Sequence, residues 1–540
     1  MRRLLLFPAV TVALFVAASP AGRPADSPRA PLLTGLRVDS GGPPFAGDRR
    51  LLTTISPNGD GLRDRAFIHF RLSRPSEVAL EIAPTLRAPL PAVYSVRVRL
   101  RRGRHTLVWA PPASTSTGSY VSQLTVRAAG KTLRLGARSA RGAHGRPRLD
   151  APVIRVQGLD AAFAAAGAAP SSVVHVSVRA DAPALRVQFF KLGRPAGRID
   201  VANWAGNLDP MGAETRFDWA RWRSRPREVA LRLGHWPSGV YFLRLESSDG
   251  RTGYAPLVIR PESREPRRIG VVVPTNTWQA YNFYDQDGDG YGDTWYAGWD
   301  QRHAVIARPY VSDGVPLPFM RYEWPGFLWL SRNAPGAEYF DDQALERISG
   351  ETLRKRFKLL VFAGHEEYVT QRAFAAITRY RDLGGHLIFL SANNLYWDVE
   401  RAGDVLTRTQ TWRLRGRPEA ALVGAEYRAS GRGPRAQGSF RVQGALVLPW
   451  LFAGCGLIDG DSFGNFGLEV DSVGSASPTG TVVVAAIPNL FNGVTADMTY
   501  YAMPNGAMVF DAGALNFELA ALTPPVDCLL RDLYERLSGT

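Results

Sequence analysis

His365, Glu367 and Asn393 are side chains whose types and spacing can do chemistry together. The first two stand in Gly364-His365-Glu366-Glu367-Tyr368, the third in Ser391-Ala392-Asn393-Asn394. An imidazole two residues from a carboxylate can carry a proton. An amide can donate a hydrogen bond to an oxygen that gains charge. Each group follows an apolar run. Residues 357–363 read as a strand buried on both faces, as in a parallel sheet. Residues 370–383 read as a helix, with Phe374, Ile377 and Tyr380 on one stripe and Gly384-Gly385 as the stop. Residues 386–390 read as a second strand. A strand–helix–strand unit therefore delivers the three groups to one edge, the crevice where open α/β sheets bind ligands.

Two acidic runs offer oxygens of another kind. Asp285-Gln286-Asp287-Gly288-Asp289-Gly290-Tyr291-Gly292-Asp293 has the D-x-D-x-D-G spacing of calcium loops. Asp285, Asp287, Asp289 and Asp293 are the expected Ca²⁺ ligands, in a structural role that clamps the segment presenting Tyr281. Tyr296 stands where an EF-hand places its bidentate Glu, so the hand is incomplete. The plainer account is a solvated acidic turn. Ser56-Pro57-Asn58-Gly59-Asp60-Gly61-Leu62-Arg63-Asp64 resembles the loop that opens immunoglobulin-like repeats of exported bacterial proteins, including the flagellar hook-cap type. That resemblance implies Ca²⁺ on Asn58, Asp60 and Asp64; a metal-free Asx turn is the alternative.

Other catalytic motifs fail on their partners. Gly460-Asp461-Ser462-Phe463-Gly464 has the nucleophile-elbow pattern, but the last histidine is His386, upstream of it. His365-Glu366 would open a zincin helix, yet position 369 is Val. The two cysteines, Cys455 and Cys528, lie far from the strand end at Gly364, which argues against a thiol mechanism. No phosphate loop of Walker type is present.

The 540-residue chain is too long for one core. With 45% hydrophobic and 10% aromatic residues it is globular. The net charge of +16 comes almost entirely from Arg scattered along the chain, with Lys only at Lys131, Lys191, Lys355 and Lys358. No basic run is interleaved with aromatics, so nucleic-acid binding is not expected. Met1-Arg2-Arg3, an apolar stretch and Ser19-Pro20-Ala21 make residues 1–27 a secretory signal peptide. No membrane span is expected after its removal, and the mature chain is expected outside the cytoplasm. The cysteines are expected either as one disulfide or as two buried thiols.

Residues 28–148 read as an immunoglobulin-like β-sandwich and residues 149–262 as a second one, from alternating runs separated by Pro and Gly turns. Residues 263–540 alternate strand and helix. Residues 412–414, 445–448 and 480–486 read as further strands. Residues 499–501 and 508–511 add two more, before a closing helix at 526–537.

The run from Pro274 to Trp397 resembles the large subunit of N,N-dimethylformamidase and its relatives. The matching pieces are Pro274-Thr275-Asn276-Thr277-Trp278-Gln279-Ala280-Tyr281-Asn282, Arg321-Tyr322-Glu323, the His365 motif and Ser391-Ala392-Asn393-Asn394. The likeness extends over residues 150–540. It implies a Rossmann-like or glutamine-amidotransferase-like α/β domain and a mononuclear iron, as Fe³⁺, on Tyr281, Tyr322 and Glu367. His365 and Asn393 would stand beside it, and Glu469 is the best placement of a further family acid. Three hard anionic oxygens suit a trivalent iron. The implied activity is metal-dependent hydrolysis of the C–N bond of a small amide. A homo-oligomer or a small partner subunit is compatible with the resemblance. Export and the N-terminal domain depart from the intracellular amidase, which leaves room for a rival: a secreted or cell-surface binding protein that keeps the fold and the calcium loops without turnover.

Overall fold

The computed structural model describes residues 32–85, 91–136, 150–193, 199–262, 266–297 and 302–539. The expected signal peptide lies outside them. Over the described residues the chain is a mostly β, multi-sheet protein with no closed barrel. No helix among the described residues is long and apolar enough to cross a membrane.

The first unit packs two sheets over one core. Leu33–Asp39, Ala66–Leu72 and Gly103–Trp109 form a three-stranded sheet. The second sheet runs Leu52–Ile55, Val153–Val156, Gly118–Ala128, Ser76–Pro84, Tyr94–Leu100. Strict alternation makes this possible: Ile68 and Phe70 from one sheet and Val78, Leu80, Leu124 and Val126 from the other turn inward and are buried together. Val153–Val156 pairs in parallel with Leu52–Ile55 and so belongs to this sheet, although it lies beyond residue 148.

The second unit opposes a three-stranded sheet, Asp160–Phe163, Val173–Arg179 and Arg227–Arg232, to a five-stranded one built on Gly239–Ser247 and Ala184–Leu192. The two units meet at a buried ion pair. Asp181 accepts from Arg63 Nε at 2.9 Å and from Arg223 Nε at 2.8 Å.

The third unit centres on a nine-stranded mixed sheet. Glu338–Asp341, Ile269–Val273, Leu359–Phe362, His386–Phe389 and Met508–Asp511 are mutually parallel neighbours. Ala496–Ala502, Val482–Ile487, Gln437–Val442 and Ser462–Gly467 continue it antiparallel. Ile269–Val273, Leu359–Phe362 and His386–Phe389 are buried along their whole length, as their apolar runs require. Val271, Val273 and Val361 turn to one face, against Phe327 and Leu330 of the Trp324–Asn333 helix and Leu529 and Leu533 of the Val526–Ser538 helix. Val272, Leu360 and Phe362 turn to the other, against Phe374, Ile377 and Tyr380 of the Gln371–Asp382 helix. Thr370 caps that helix by accepting from the Ala373 N–H.

Two expected strands are absent. Residues 412–414 enter a short 3₁₀ turn, Arg413–Arg415, because Trp412 stacks its ring on Phe374 at 4.0 Å and Gly416 turns left-handed at φ 71°. Residues 445–448 form the approach to the Pro449–Phe452 helix, with Leu446 and Val447 exposed. An apolar run there is surface, not sheet. Cys455 and Cys528 form a disulfide that ties the turn after this helix to the closing helix.

Candidate functional site

The site is assembled where the parallel strands end. After Phe362 the chain turns at Gly364, whose φ of 94° favours glycine and whose Cβ would stand 2.8 Å from the Glu323 carboxyl carbon. Two buried carboxyl groups fix this turn: Glu518 accepts from the Gly364 N–H at 2.7 Å and Glu323 from the His365 N–H at 2.9 Å. Glu323 also accepts from Trp278 Nε1 at 2.7 Å. The Glu367 N–H donates to Thr277 Oγ1 at 3.1 Å, joining the turn to the Thr275–Ala280 helix. Tyr281 caps the end of that helix and so enters the same space.

Glu367 Oε2 is the meeting point. It accepts from the Tyr281 hydroxyl at 2.8 Å and lies 3.0 Å from His365 Nε2. His365 Nδ1 stands 3.0 Å from the Ala392 carbonyl, which makes Nδ1 a donor and fixes the ring. All three side chains are buried. Asn393 sits left-handed at φ 56°, a conformation Asn tolerates. Its N–H donates to Asp471 at 2.7 Å and its Nδ2 to Glu469 Oε2 at 2.9 Å. Glu469 Oε2 is 3.8 Å from His365 Nε2. Tyr281, Glu367, His365, Glu469 and Asn393 thus form one continuous polar chain. Tyr322 lies in the Phe319–Glu323 π-turn, next to Glu323, and is half-buried; it has no side-chain hydrogen bond among the described residues.

The remaining expected ligands lie away from this chain. Asp285, Asp287 and Asp289 cluster, each with a carboxylate oxygen within 4.8 Å of the other two. Asp293 Oδ2 accepts from the Gln286 N–H at 2.6 Å. In the N-terminal loop, Asp64 accepts from the backbone N–H groups of Asn58, Gly59 and Gly61. Asp60 pairs with Arg223, and Asn58 Nδ2 donates to Asp249 at 2.8 Å.

Burial sets the protonation of the site. It pushes the Tyr281 hydroxyl well above its usual range, and the neighbouring Glu367 charge adds to the effect. For His365 burial works downward, but the hydrogen bond to Glu367 and the charges of Glu367, Glu469 and Glu323 outweigh it and raise it to about 9. Burial also lifts Glu323 to about 7, and holds Glu518 well above the carboxylate range with help from Glu323. Desolvation is the shared cause for the tyrosine and the two acids, not for the histidine.

Four participants escaped the sequence reading. Tyr296 stacks on Tyr281 with ring centroids 4.8 Å apart and donates to its hydroxyl at 3.2 Å. Tyr296 also shares a hydrogen bond with Tyr368. Both tyrosines stood beside quoted motifs, so the signal was there: Tyr368 follows Glu367, and Tyr296 marked the departure from EF-hand spacing. Glu323 follows Tyr322. Glu518 carries no local signal.

The class defined by fold and site is a mixed-sheet protein with a buried cluster of phenol, carboxylate and imidazole groups at the carboxyl edge of its parallel strands. The chain belongs to the N,N-dimethylformamidase beta subunit-like family, whose C-terminal model matches residues 210–526. That stretch is shorter than the expected 150–540 and contains every member of the cluster. No curated protein matches the chain.

Proposed function

We propose that the protein is an exported, metal-dependent hydrolase of the C–N bond of a small amide, with a single Fe³⁺ held by Tyr281, Tyr322 and Glu367. The observation that carries this reading is the convergence of the Tyr281 hydroxyl and His365 Nε2 on one oxygen of Glu367, at 2.8 and 3.0 Å. Two of the three donors, Tyr281 and Glu367, already stand at ligand spacing, and Tyr322 would have to join them. Two ligand oxygens about 3 Å apart form an edge of an octahedron with bonds of about 2.1 Å. Tyr281 is buried and neutral on its own, so a bound cation is what would ionise it.

Bound there, iron would supply Lewis acidity towards an amide carbonyl. The chain's own residues do the rest. His365 holds a proton at Nε2, with its ring fixed through Nδ1, and is placed to pass that proton to the leaving amine nitrogen. Glu469 sits 3.8 Å from the same nitrogen and stabilises the imidazolium. Asn393, held by Asp471 through its backbone, offers an amide N–H to an oxygen gaining charge. Tyr296 and Tyr368 back Tyr281 and keep water from its ring.

Parallel strands with helices on both faces support reading residues 263–540 as a Rossmann-like, glutamine-amidotransferase-like domain. The Cys455–Cys528 disulfide fits an oxidising compartment, in line with export.

The test is elemental analysis and visible absorption of the purified chain, with a panel of small linear amides. One iron per chain, a phenolate-to-iron absorption band that Tyr281→Phe weakens, and turnover abolished by Glu367→Ala are expected. Iron-free, colourless protein that hydrolyses nothing sinks the proposal and leaves the non-catalytic binding protein.

A further inference from the structure

The segment between Tyr281 and Tyr296 buries more negative charge than it balances. Asp285 and Asp289 are 4% and 7% exposed. Asp289 Oδ1 accepts from the Tyr291 N–H at 2.9 Å, but its Oδ2 is buried without any hydrogen-bond partner. Asp285, Asp289 and Asp293 form no ion pair among the described residues. Arg308, beside Asp293, does not neutralise them by contact. Its guanidinium donates to the carbonyl oxygens of Val305, Tyr284 and Gln279 at 2.6, 2.6 and 3.0 Å. Charges taken out of water without a partner are costly. One oxygen from each of Asp285, Asp287 and Asp289 already lies within 4.8 Å of the others, the span across which a hard cation with oxygen ligands reaches.

The loop is also a joint. On one side the first unit grips it: Ser119 Oγ donates to Asp285 Oδ2 at 2.8 Å and Arg49 Nη2 to the Gly288 carbonyl at 2.9 Å. On the other side its base closes onto the Tyr281 segment. The Asp293 N–H donates to the Tyr284 carbonyl at 3.1 Å, and Thr294 Oγ1 donates to the carbonyl of Ala280. Gly292 lets this happen, since a Cβ there would stand 2.6 Å from the Phe283 Cα.

We infer that this loop binds one divalent cation of the Ca²⁺ class through Asp285, Asp287 and Asp289, with Asp293 closing its base, and that the ion locks the N-terminal unit onto the segment that carries Tyr281 and Tyr296. The inference stands apart from the iron reading, because none of these carboxylates touches Glu367.

Calcium chloride titrated calorimetrically into the full chain, after chelator stripping, tests it. One saturable equivalent is expected, with a higher Tm and slower amide hydrogen exchange across residues 283–297. Asp289→Asn should weaken binding at least tenfold and remove the Tm rise. Asp287→Asn, at an exposed position, should weaken it too and serves if the buried variant does not fold. Asn58→Ala and Glu367→Ala should leave the Ca²⁺ response unchanged, so loss of the iron site and loss of this one are told apart. A stripped wild-type chain that takes up no Ca²⁺ overturns the inference. So does binding that Asp287→Asn leaves intact or Asn58→Ala abolishes.

Discussion

The junction between the first two units and the carboxyl edge of the mixed sheet both bury carboxylates, and they keep them in opposite ways. At the junction, Asp181 is fully buried and is met by Arg63 and Arg223. At the sheet edge Glu323, Glu366, Glu367, Asp471, Asp511 and Glu518 are all buried, and none forms an ion pair with arginine or lysine among the described residues. The chain has 65 basic residues, and Arg260 reaches the same edge to pair with Asp341, so the lack of such a partner for these six is not a shortage of cations. One place is neutralised by guanidinium; the other relies on protons and on His365. The edge is therefore the region with electrostatic room for a multivalent ion.

The largest test of that contrast removes the meeting point. If the proposed iron amidase reading holds, Glu367→Ala takes away a metal oxygen and the partner of His365 together, and amide hydrolysis should fall about 10³-fold or more. The loss should come with loss of iron, read by elemental analysis of the same sample. At the junction, Asp181→Ala should cost about 3–5 kcal/mol in chemical denaturation, because it strands the buried guanidinium of Arg63. A loss under about 1 kcal/mol would mean that water reaches the pair.

A smaller effect separates the two strategies by pH. Burial, with the Glu323 charge added, raises Glu518 in the fold well above 4.5, its ordinary value in the unfolded chain. A raised acid of this kind favours the folded state at low pH, and that contribution drains away as pH rises above 4.5 towards the folded value. Glu518→Gln should match the wild type within about 1 kcal/mol at pH 5 and become the more stable of the two at pH 8. A stability difference that does not change with pH would show Glu518 ionised. The smallest effect is expected at Tyr296→Phe. It keeps the ring on Tyr281 and deletes the hydroxyl's hydrogen bonds to Tyr281 and Tyr368, so stability should move by about 1 kcal/mol while any iron absorption band shifts.

Four of the five parallel strands were legible because each is a short apolar run followed by polar residues; Glu338–Asp341, with an acid at each end, was not. Ile269–Val273 and Met508–Asp511 were placed to the residue. The helix that follows Glu367 was legible from its stripe and its Gly-Gly stop. Residues 412–414 and 445–448 misled for one reason: hydrophobicity says that a residue wants cover, not which element supplies it, and Trp412 found its cover on a helix. His365, Glu367 and Asn393 were brought to one edge by pattern alone. Tyr281 and Glu469 needed the resemblance, since 86 residues separate the hydrogen-bonded Tyr281 and Glu367. Glu518 was out of reach because its role depends on a turn 154 residues upstream.

The strand Val153–Val156 has a practical consequence for anyone dividing the chain. It lies between Leu52–Ile55 and Gly118–Ala128 in the same sheet, paired with both. A fragment ending at residue 148 would leave Leu52–Ile55 without its strand partner and with a bare hydrogen-bonding edge, a template for self-association. A soluble N-terminal piece has to be cut after Val156, where the sheet is whole.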